Sequence, residues 1–321
     1  MLHKSRRSSK KTYTALSYCW GSPESVKKID LDGFRFGVTL SLWQALSTFA
    51  ASNQNHTDLF WIDALCINQD DVSERNHQVQ NMGQIYSSAL VVYAWLGPRT
   101  EATELVCYVL QLFAIEKRPS FRQSQFDLSR KQLGTAGDLE TIAHSLMSLM
   151  ATEYFYRVWI IPETARAERL MIICGEARWD LSTLYEFTAA AAAYYDDRLT
   201  GHSWHLLYQI LCDTPSDIRA HMAPDMVREG LYICLWSFLE ARCQDKRDHV
   251  FAMAGHPITE ELGPLHQIKV DYALTDDEVL ITAMEWMSKL VSDCPEGVDL
   301  YVSEGRMINA ILNTLTVVLL D

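Results

Sequence analysis

A loop crowded with polar side chains follows a short apolar run early in the chain. The run ends in an acid, Asp63, and six of the eight residues at 67–74 are polar. Ligands of α/β proteins collect where the carboxyl ends of strands meet such loops. A packing unit with a solvated loop is the plain alternative, but the polar groups are more numerous than a turn needs. The loop is therefore our first candidate for a binding site.

Each polar residue of this loop has a chemical use and a structural one. Asp63 could hold a ribose, or it could order the loop by accepting backbone N–H bonds. Arg75 could bind a phosphate with two parallel hydrogen bonds, and Asn68 and Gln69 would add further polar contacts. Glu74 and Arg75 could instead fix the start of the following helix. Both interpretations stay open.

Two further groups near this loop could take part in chemistry. Cys66 could act as a nucleophile only with a base beside it, and His77 is the candidate base. The alternative for a free cysteine is a small buried hydrophobe. Ser17, Tyr18 and Trp20 end the first predicted strand, where they would supply hydroxyls and an aromatic wall. Their alternative is a packing cluster at the strand end.

The elements that must position these groups alternate between strand and helix up to about residue 178. Apolar runs predict strands at 13–18, 60–62, 90–96 and 170–175, and helical spacing predicts helices at 40–51, 71–89, 100–117 and 139–150. Asp32-Gly33 suits the turn of a hairpin at 29–36. A polar surface loop is expected at 119–138, and residues from about 180 to 255 have a helical character. This order indicates an α/β half followed by a mainly helical half.

The bulk composition excludes some classes of function. The 321 residues carry a net charge of −13, whereas nucleic acid selects positive surfaces, so we expect no nucleic-acid partner. Eight scattered cysteines without a C-x-x-C pair indicate reduced thiols and a cytoplasmic location. The apolar run at 308–320 is too short to span a bilayer. The basic segment 1–12 is expected to be a disordered tail, with a localisation signal as the alternative.

Two later clusters are expected to be structural. Arg247 and Asp248 resemble an intrachain ion pair at the start of a helix. His202 and His205 have a spacing that a metal ion would accept, but no third or fourth ligand accompanies them. We therefore predict no metal site.

Several blocks of the sequence resemble one known family, the fungal heterokaryon-incompatibility (HET) domain. The resemblance covers roughly residues 13 to 280, in the order that the family has. The blocks are ALSYCWG at 15–21, LFWIDALCINQDD with ER and QV at 59–79, MGQIYSSALVVYAWLG at 82–97, RVWIIPETARA at 157–167, CQDKRDHVFAMAG at 243–255 and VDYALTDDEV at 270–279. The chain departs from the family at Pro162, where a glutamine is usual.

The resemblance implies a fold similar to the TIR domain, a flavodoxin-like parallel sheet flanked by helices. It implies a core at 13–178 and a mainly helical extension at 179–321. In that comparison Glu163 falls where NAD-cleaving TIR domains keep their catalytic glutamate, and a carboxylate there could stabilise an oxocarbenium-like state. Trp159 could stack on the nicotinamide. The alternative is that Glu163 pairs with Arg157 or Arg166, or stabilises a helix start.

Three functions follow as hypotheses. The first is a TIR-like effector of non-self recognition and regulated cell death, which self-association switches on and which cleaves NAD as its substrate. The second is a stand-alone small-molecule enzyme of secondary metabolism, and Pro162 favours it. The third is a non-catalytic interaction module that binds a partner through the helix at 76–89. Whether the protein is an enzyme is left open, and no cofactor is required by the sequence.

Overall fold

The chain forms two compact units, each assembled from three separate segments. In the computed structural model of the protein, the described residues are 13–51, 59–115, 139–184, 187, 239, 241–257, 267–292 and 313–320. Unit 1 comprises Met1–Ile62, Ala89–Phe155 and Glu168–Leu211, and unit 2 comprises Asp63–Ser88, Tyr156–Ala167 and Cys212–Asp321. The sequence boundaries expected near residues 12 and 178 stay predictions.

Unit 1 is built on a five-stranded, mostly parallel sheet. Seven strands are described in the chain: β1 (Tyr13–Tyr18), β2 (Val26–Leu31), β3 (Phe34–Thr39), β4 (Leu59–Trp61), β5 (Val91–Trp95), β6 (Leu170–Cys174) and β7 (Ala177–Asp180). The sheet has the order β4-β1-β5-β6-β7, in which β7 alone runs antiparallel to its neighbour. Counted along the chain this is the flavodoxin-like order 2-1-3-4-5, which confirms the predicted fold class.

Helices cover both faces of the sheet. The described helices of unit 1 include α1 (Leu40–Ala51), α5 (Glu101–Ile115) and α6 (Leu139–Met150). Phe49 of α1 packs on one face, with its ring centroid 5.7 Å from that of Tyr93 and 6.1 Å from that of Trp95. Alternate strand residues point to the other face, where Cys107 of α5 lies near Cys174. The apolar runs of the central strands are therefore buried on both sides, as in other parallel sheets.

The hairpin of β2 and β3 confirms the turn that the sequence predicts. Its tip residues Asp32 and Gly33 have φ values of 51° and 86°. Two consecutive residues with positive φ make a type I′ turn, whose twist matches that of the flanking strands. The cross-strand pairs Ile29–Phe36 and Leu31–Phe34 follow from this register.

Unit 2 is helical wherever it is described as regular structure. It contains α2 (Asp63–Cys66), α3 (Val72–Gln80), α4 (Met82–Ser88), α7 (Ile160–Ala165), α8 (Asp248–Phe251), a 3₁₀ turn at Ala252–Gly255, α9 (Asp276–Ser292) and a helix at 313–320. Leu315 and Leu319, one turn apart in the last helix, are buried. The predicted helical character of the later part of the chain is confirmed for these residues.

One expectation needs correction, one strand was not expected, and several predictions fall on residues that the structure does not describe. The helix predicted at 71–89 is two helices, because the chain turns at Asn81, whose side chain donates to the His77 carbonyl at 2.6 Å. Strand β7 was not predicted at all. The loop at 119–138, the histidines at 202 and 205 and most of 185–240 lie outside the described residues.

Candidate active site

The loop that follows β4 is ordered by its own polar groups. Strand β4 ends at Trp61, and Asp63 begins α2 rather than ending the strand as expected. Asp63 is 8% exposed. Its carboxylate accepts a hydrogen bond from the Ala64 amide at 2.7 Å, and its backbone carbonyl accepts one from Gln69 Nε2 at 3.4 Å. Asp63 therefore makes the loop-ordering contacts that were one of its two predicted roles.

Asp71 is the N-cap of α3. The Asp71 carboxylate accepts the amides of Ser73 at 2.9 Å and Glu74 at 3.1 Å, which satisfies two of the free N–H groups of the first turn. Glu74 itself reaches back to the amide of Asn68, at 3.4 Å. Asn68 is exposed, and Cys66, which is in no disulfide, is of intermediate exposure.

Glu163 lies on a buried helix. All six residues of α7 are buried, and Glu163 is 1% exposed. Its Oε1 lies 3.8 Å from Arg157 Nη2, which is the ion pair named as its structural alternative. Arg166, the other candidate partner, donates from Nε to the Gly255 carbonyl at 2.8 Å. Pro162 falls in the first turn of α7, where a missing N–H costs nothing.

One helical turn before Glu163, Trp159 is bound to a carboxylate that the sequence did not single out as functional. Trp159 Nε1 donates to Asp248 Oδ2 at 3.0 Å, and the Tyr272 hydroxyl donates to Asp248 Oδ1 at 2.5 Å. Asp248 is 8% exposed, and burial raises its pKa from 3.8 to about 6, against the lowering effect of these two hydrogen bonds and of Arg75. The carboxyl group is thus able to hold or release a proton near neutral pH.

Two guanidinium groups flank the ring of Tyr272. That of Arg75 lies 3.8 Å from the ring centroid and that of Arg247 lies 5.4 Å away. Arg247 pairs with Asp245 through two hydrogen bonds of 2.8 and 2.7 Å. The predicted ion pair between Arg247 and Asp248 is therefore wrong, because neighbouring residues of a helical turn point in different directions.

The segment that carries Tyr272 is held by two side-chain amides of α3. Gln80 donates to the Ile268 carbonyl at 3.1 Å and accepts the Val270 amide at 2.8 Å. One turn earlier, Asn76 donates to the Asp271 carboxylate at 3.0 Å and accepts the Tyr272 amide at 2.9 Å. This pair of amides, which we call the amide clamp, holds the segment 268–272 against α3.

The remaining predicted residues end the first strand of unit 1. Ser17 and Tyr18 are each 1% exposed, and Ser17 Oγ lies 2.8 Å from the Tyr154 hydroxyl. Trp20 is of intermediate exposure. In sheets of this strand order, ligands bind outside the carboxyl ends of the first and third strands, which here are β1 and β5. Ser17 and Tyr18 lie at that end of β1.

The structure therefore joins some predicted residues and adds others. In unit 2 it pairs Arg157 with Glu163 and Asn68 with Glu74. Sequence analysis did not select Asp245, Asp248 or Tyr272 as site residues, although it identified the two sequence blocks, 243–255 and 270–279, that contain them. The sequence signal that could have drawn attention to Asp248 is an acid that follows directly after Arg247 and stands three positions after Asp245.

Two classes of site have no support in the part of the chain that the structure describes. No group of three or more His, Cys, Asp or Glu side chains in it is arranged to hold a metal ion. Across the same residues, no helix combines the length and apolar character that crossing a bilayer requires.

Comparison with known proteins identifies the region that holds most of these residues. Residues 13–163 match the family model for heterokaryon incompatibility protein (HET). Heterokaryon incompatibility protein 6, OR allele, of Neurospora crassa is 37% identical over 107 residues, a match that covers 30% of this chain and 16% of that relative. No solved structure matches the chain. Residues 13–163 are therefore similar to the heterokaryon incompatibility (HET) family, in the region where the sequence blocks indicate it.

Proposed function

We propose that this chain is the HET-domain part of a protein of heterokaryon incompatibility. Such a protein would act in the cytoplasm, in non-self recognition that ends in regulated cell death. The family match over residues 13–163 supports this role, as does the name of the Neurospora crassa relative. Because only 16% of that relative is matched, this role of the whole protein is our proposal.

We infer that the activity behind this role is the hydrolysis of NAD to nicotinamide and ADP-ribose. The observation that carries the proposal is the burial of a carboxylate, Glu163, on a helix whose position in the chain resembles that of the catalytic glutamate of TIR domains. A buried ionisable group is costly to maintain, and such groups concentrate at functional sites. Glu163 would stabilise the positive charge that develops on the ribose as the bond to nicotinamide breaks.

The burial of Glu163 also suggests how the activity would be controlled. A side chain that is 1% exposed cannot contact a dinucleotide until α7 or its surroundings move. We propose that self-association of the domain supplies this movement, so that the dilute protein is inactive and turnover rises with protein concentration. The ion pair with Arg157 would hold Glu163 in the resting state.

The experiment is an incubation of the purified chain with NAD over a range of protein concentrations, with released nicotinamide measured by chromatography. We expect turnover that increases more than linearly with concentration and that is lost in Glu163→Gln. Glu285→Gln is the matched control, because Glu285 is an exposed glutamate on α9 of the same unit. Equal turnover of the Glu163→Gln and wild-type proteins would exclude Glu163 as the catalytic group.

The other two hypotheses give different results in the same assay. An absence of nicotinamide, with tight binding of an unrelated metabolite, would indicate a small-molecule enzyme of secondary metabolism. An absence of both, with assembly of the chain at high concentration, would indicate an interaction module. The amide clamp and the Trp159–Asp248–Tyr272 cluster favour none of these alternatives over NAD cleavage.

A further inference from the structure

The hairpin of β2 and β3 is exposed along most of its length. It is a two-stranded sheet of its own, and within the described part of the chain β2 pairs with β3 alone. Alternate residues of β3 lie on one face, and their exposed fraction rises from 5% at Val38 to 43% at Phe36 and 76% at Phe34, next to the turn. The base of the hairpin is thus covered, whereas its outer end is not.

The outer edge of β2 carries backbone groups that its neighbour β3 does not use. The turn at Asp32-Gly33 places Leu31 opposite Phe34, and a turn of this kind closes a hydrogen-bonded pair. Bonded and non-bonded pairs alternate along an antiparallel ladder, so the backbone N–H and C=O groups of Lys28 and Asp30 point away from β3. Both residues are exposed, and no acceptor for either amide is found among the described residues.

A hairpin with such an edge is an incomplete sheet. An isolated pair of strands is only marginally stable in water, and three or more strands with an apolar face are needed for a stable sheet. A free edge is also a template for a further strand. On β2 this edge carries one charge of each sign, because Lys28 and Asp30 are two positions apart and therefore lie on the same face.

We propose that β2 pairs with β2 of a second copy of this chain, antiparallel and about a two-fold axis at Ile29, so that two hairpins form one four-stranded sheet. The interface is isologous, which means that the same residues of both copies form it. This inference rests on the self-association put forward above for NAD cleavage, and it assigns the surface that carries out that association.

The pairing satisfies the groups that the hairpin leaves exposed. Lys28 of each copy lies opposite Asp30 of the other, and such a pair exchanges two backbone hydrogen bonds while its side chains have opposite charges. On the other face Ile29 meets Ile29 of the second copy, and Leu31 meets the alkyl part of Lys27. Ile29 and Leu31, which are half-buried in the single chain, thereby gain cover.

Charge selects this register over its neighbours. A register centred on Lys28 places the two lysines opposite each other, and one centred on Asp30 does the same with the two aspartates. Like charges directly opposite destabilise a strand pair, whereas opposite charges stabilise it. The edge of β3 offers no comparable arrangement, because β3 contains no acidic residue and includes Gly37, and glycine weakens a strand.

The test is sedimentation equilibrium of the full chain, which gives the mass of the particle and the dissociation constant of a dimer. We expect wild-type protein to form a dimer in equilibrium with the monomer. Lys28→Glu should raise the dissociation constant at least about tenfold, because two attractive pairs become repulsive. Lys269→Glu is the matched control, since it makes the same change of charge at an exposed lysine of unit 2 and should leave the constant unchanged.

A charge swap tests the pairing itself. Asp30→Lys is combined with Arg35→Glu, at its cross-strand partner, so that opposite charges remain across the hairpin. This double variant places a positive charge opposite Lys28 of the other copy and should also dimerise weakly. In a mixed dimer with Lys28→Glu, both opposite-charge pairs are restored. An equal mixture of the two variants should therefore dimerise about as tightly as the wild type.

The proposal fails if wild-type protein stays monomeric at every concentration, or if Lys28→Glu dimerises as tightly as wild type. It also fails if the mixture of the two variants does not dimerise. The readout is a mass and is therefore independent of turnover. A dimer that releases no nicotinamide would exclude the proposed activity and leave the interface in place. Turnover that rises with concentration equally in Lys28→Glu and wild type would support the activity and overturn the interface.

Discussion

Trp159 donates its indole N–H to Asp248 at 3.0 Å, across 89 positions of the sequence. The same carboxylate accepts the Tyr272 hydroxyl at 2.5 Å, so all three residues meet at one buried acid. The amide clamp of α3 holds the segment that carries Tyr272, and the Arg75 guanidinium lies over the Tyr272 ring. Asp248 therefore joins the segment Tyr156–Ala167 of unit 2 to the segment Cys212–Asp321.

This relationship predicts that truncation of Asp248 destabilises unit 2. Asp248→Ala leaves the indole N–H and the phenol O–H without their acceptor in a buried place, which should cost about 2–4 kcal/mol of the free energy of unfolding. The measurement is urea denaturation followed by circular dichroism. Asp70→Ala, at an exposed acid of the same unit, should change the free energy by less than about 0.5 kcal/mol. Equal effects of the two substitutions would contradict the joining role.

The raised pKa of Asp248 predicts a pH dependence of a definite sign. The value rises from 3.8 to about 6, mainly through burial. The folded protein therefore holds this proton more tightly than the unfolded chain, so the group adds stability that is complete below about pH 4 and is lost as the pH rises through about 6. The loss should be at most about 3 kcal/mol.

The check is urea denaturation of wild-type protein and of Asp248→Asn at a series of pH values between 4.5 and 7, spaced about half a unit apart. The difference in unfolding free energy between the two should move in favour of the asparagine variant as the pH rises. Asp245 and Arg75 lie near the carboxyl group and are present in both proteins, so their effect largely cancels. Parallel pH profiles would show that Asp248 does not titrate in this range.

Local signals allowed much of the fold to be predicted from the sequence. The helices at 40–51 and 139–150 and the hairpin at Asp32-Gly33 match the structure because periodicity and turn chemistry act within a few residues. The break between α3 and α4 was not predicted, because Val79, Met82 and Tyr86 continue one apolar helix face across it. Strand β7 was not predicted, because its four residues are too few to show a recognisable alternation of apolar and polar side chains.

The pairing of side chains was harder to predict than the elements that carry them. Trp159 and Arg75 were selected as candidate site residues, and the side chains that they contact, Asp248 and Tyr272, lie far away in the sequence. Nothing in a local pattern reports such contacts. The mistaken pairing of Arg247 with Asp248 shows the same limit, since adjacency in sequence does not make two side chains meet.

A close approach of two backbones predicts the effect of adding one methyl group at Gly83. A Cβ there would lie 2.5 Å from the Gly255 carbonyl oxygen and 3.1 Å from Arg166 Nε, which donates to that oxygen. Gly83→Ala should lower the free energy of unfolding by about 1–3 kcal/mol because α4 must move away. At Gly255 the added Cβ would meet Pro162 Cβ at 3.3 Å, so Gly255→Ala should cost less. Urea denaturation of both variants checks the order, and a reversed order would contradict it.

The amide clamp predicts two separable losses of amide protection. Gln80→Ala removes the acceptor of the Val270 amide, and Asn76→Ala removes the acceptor of the Tyr272 amide. Native-state hydrogen exchange should therefore speed up mainly at Val270 in the first variant and mainly at Tyr272 in the second. Each variant serves as the control for the other. Equal acceleration at both amides in both variants would mean that the segment opens as one piece.

The pair of Arg157 and Glu163 predicts a strong coupling between two substitutions. Arg157→Met leaves a carboxylate that is 1% exposed without this cation and should cost about 2–4 kcal/mol, whereas Glu163→Gln should cost less because it removes the buried charge itself. The double variant should then be more stable than the sum of the single losses by at least about 1 kcal/mol, as measured by urea denaturation. Additive losses would show that the 3.8 Å contact contributes no interaction energy, and Glu163 would then need another reason for its burial.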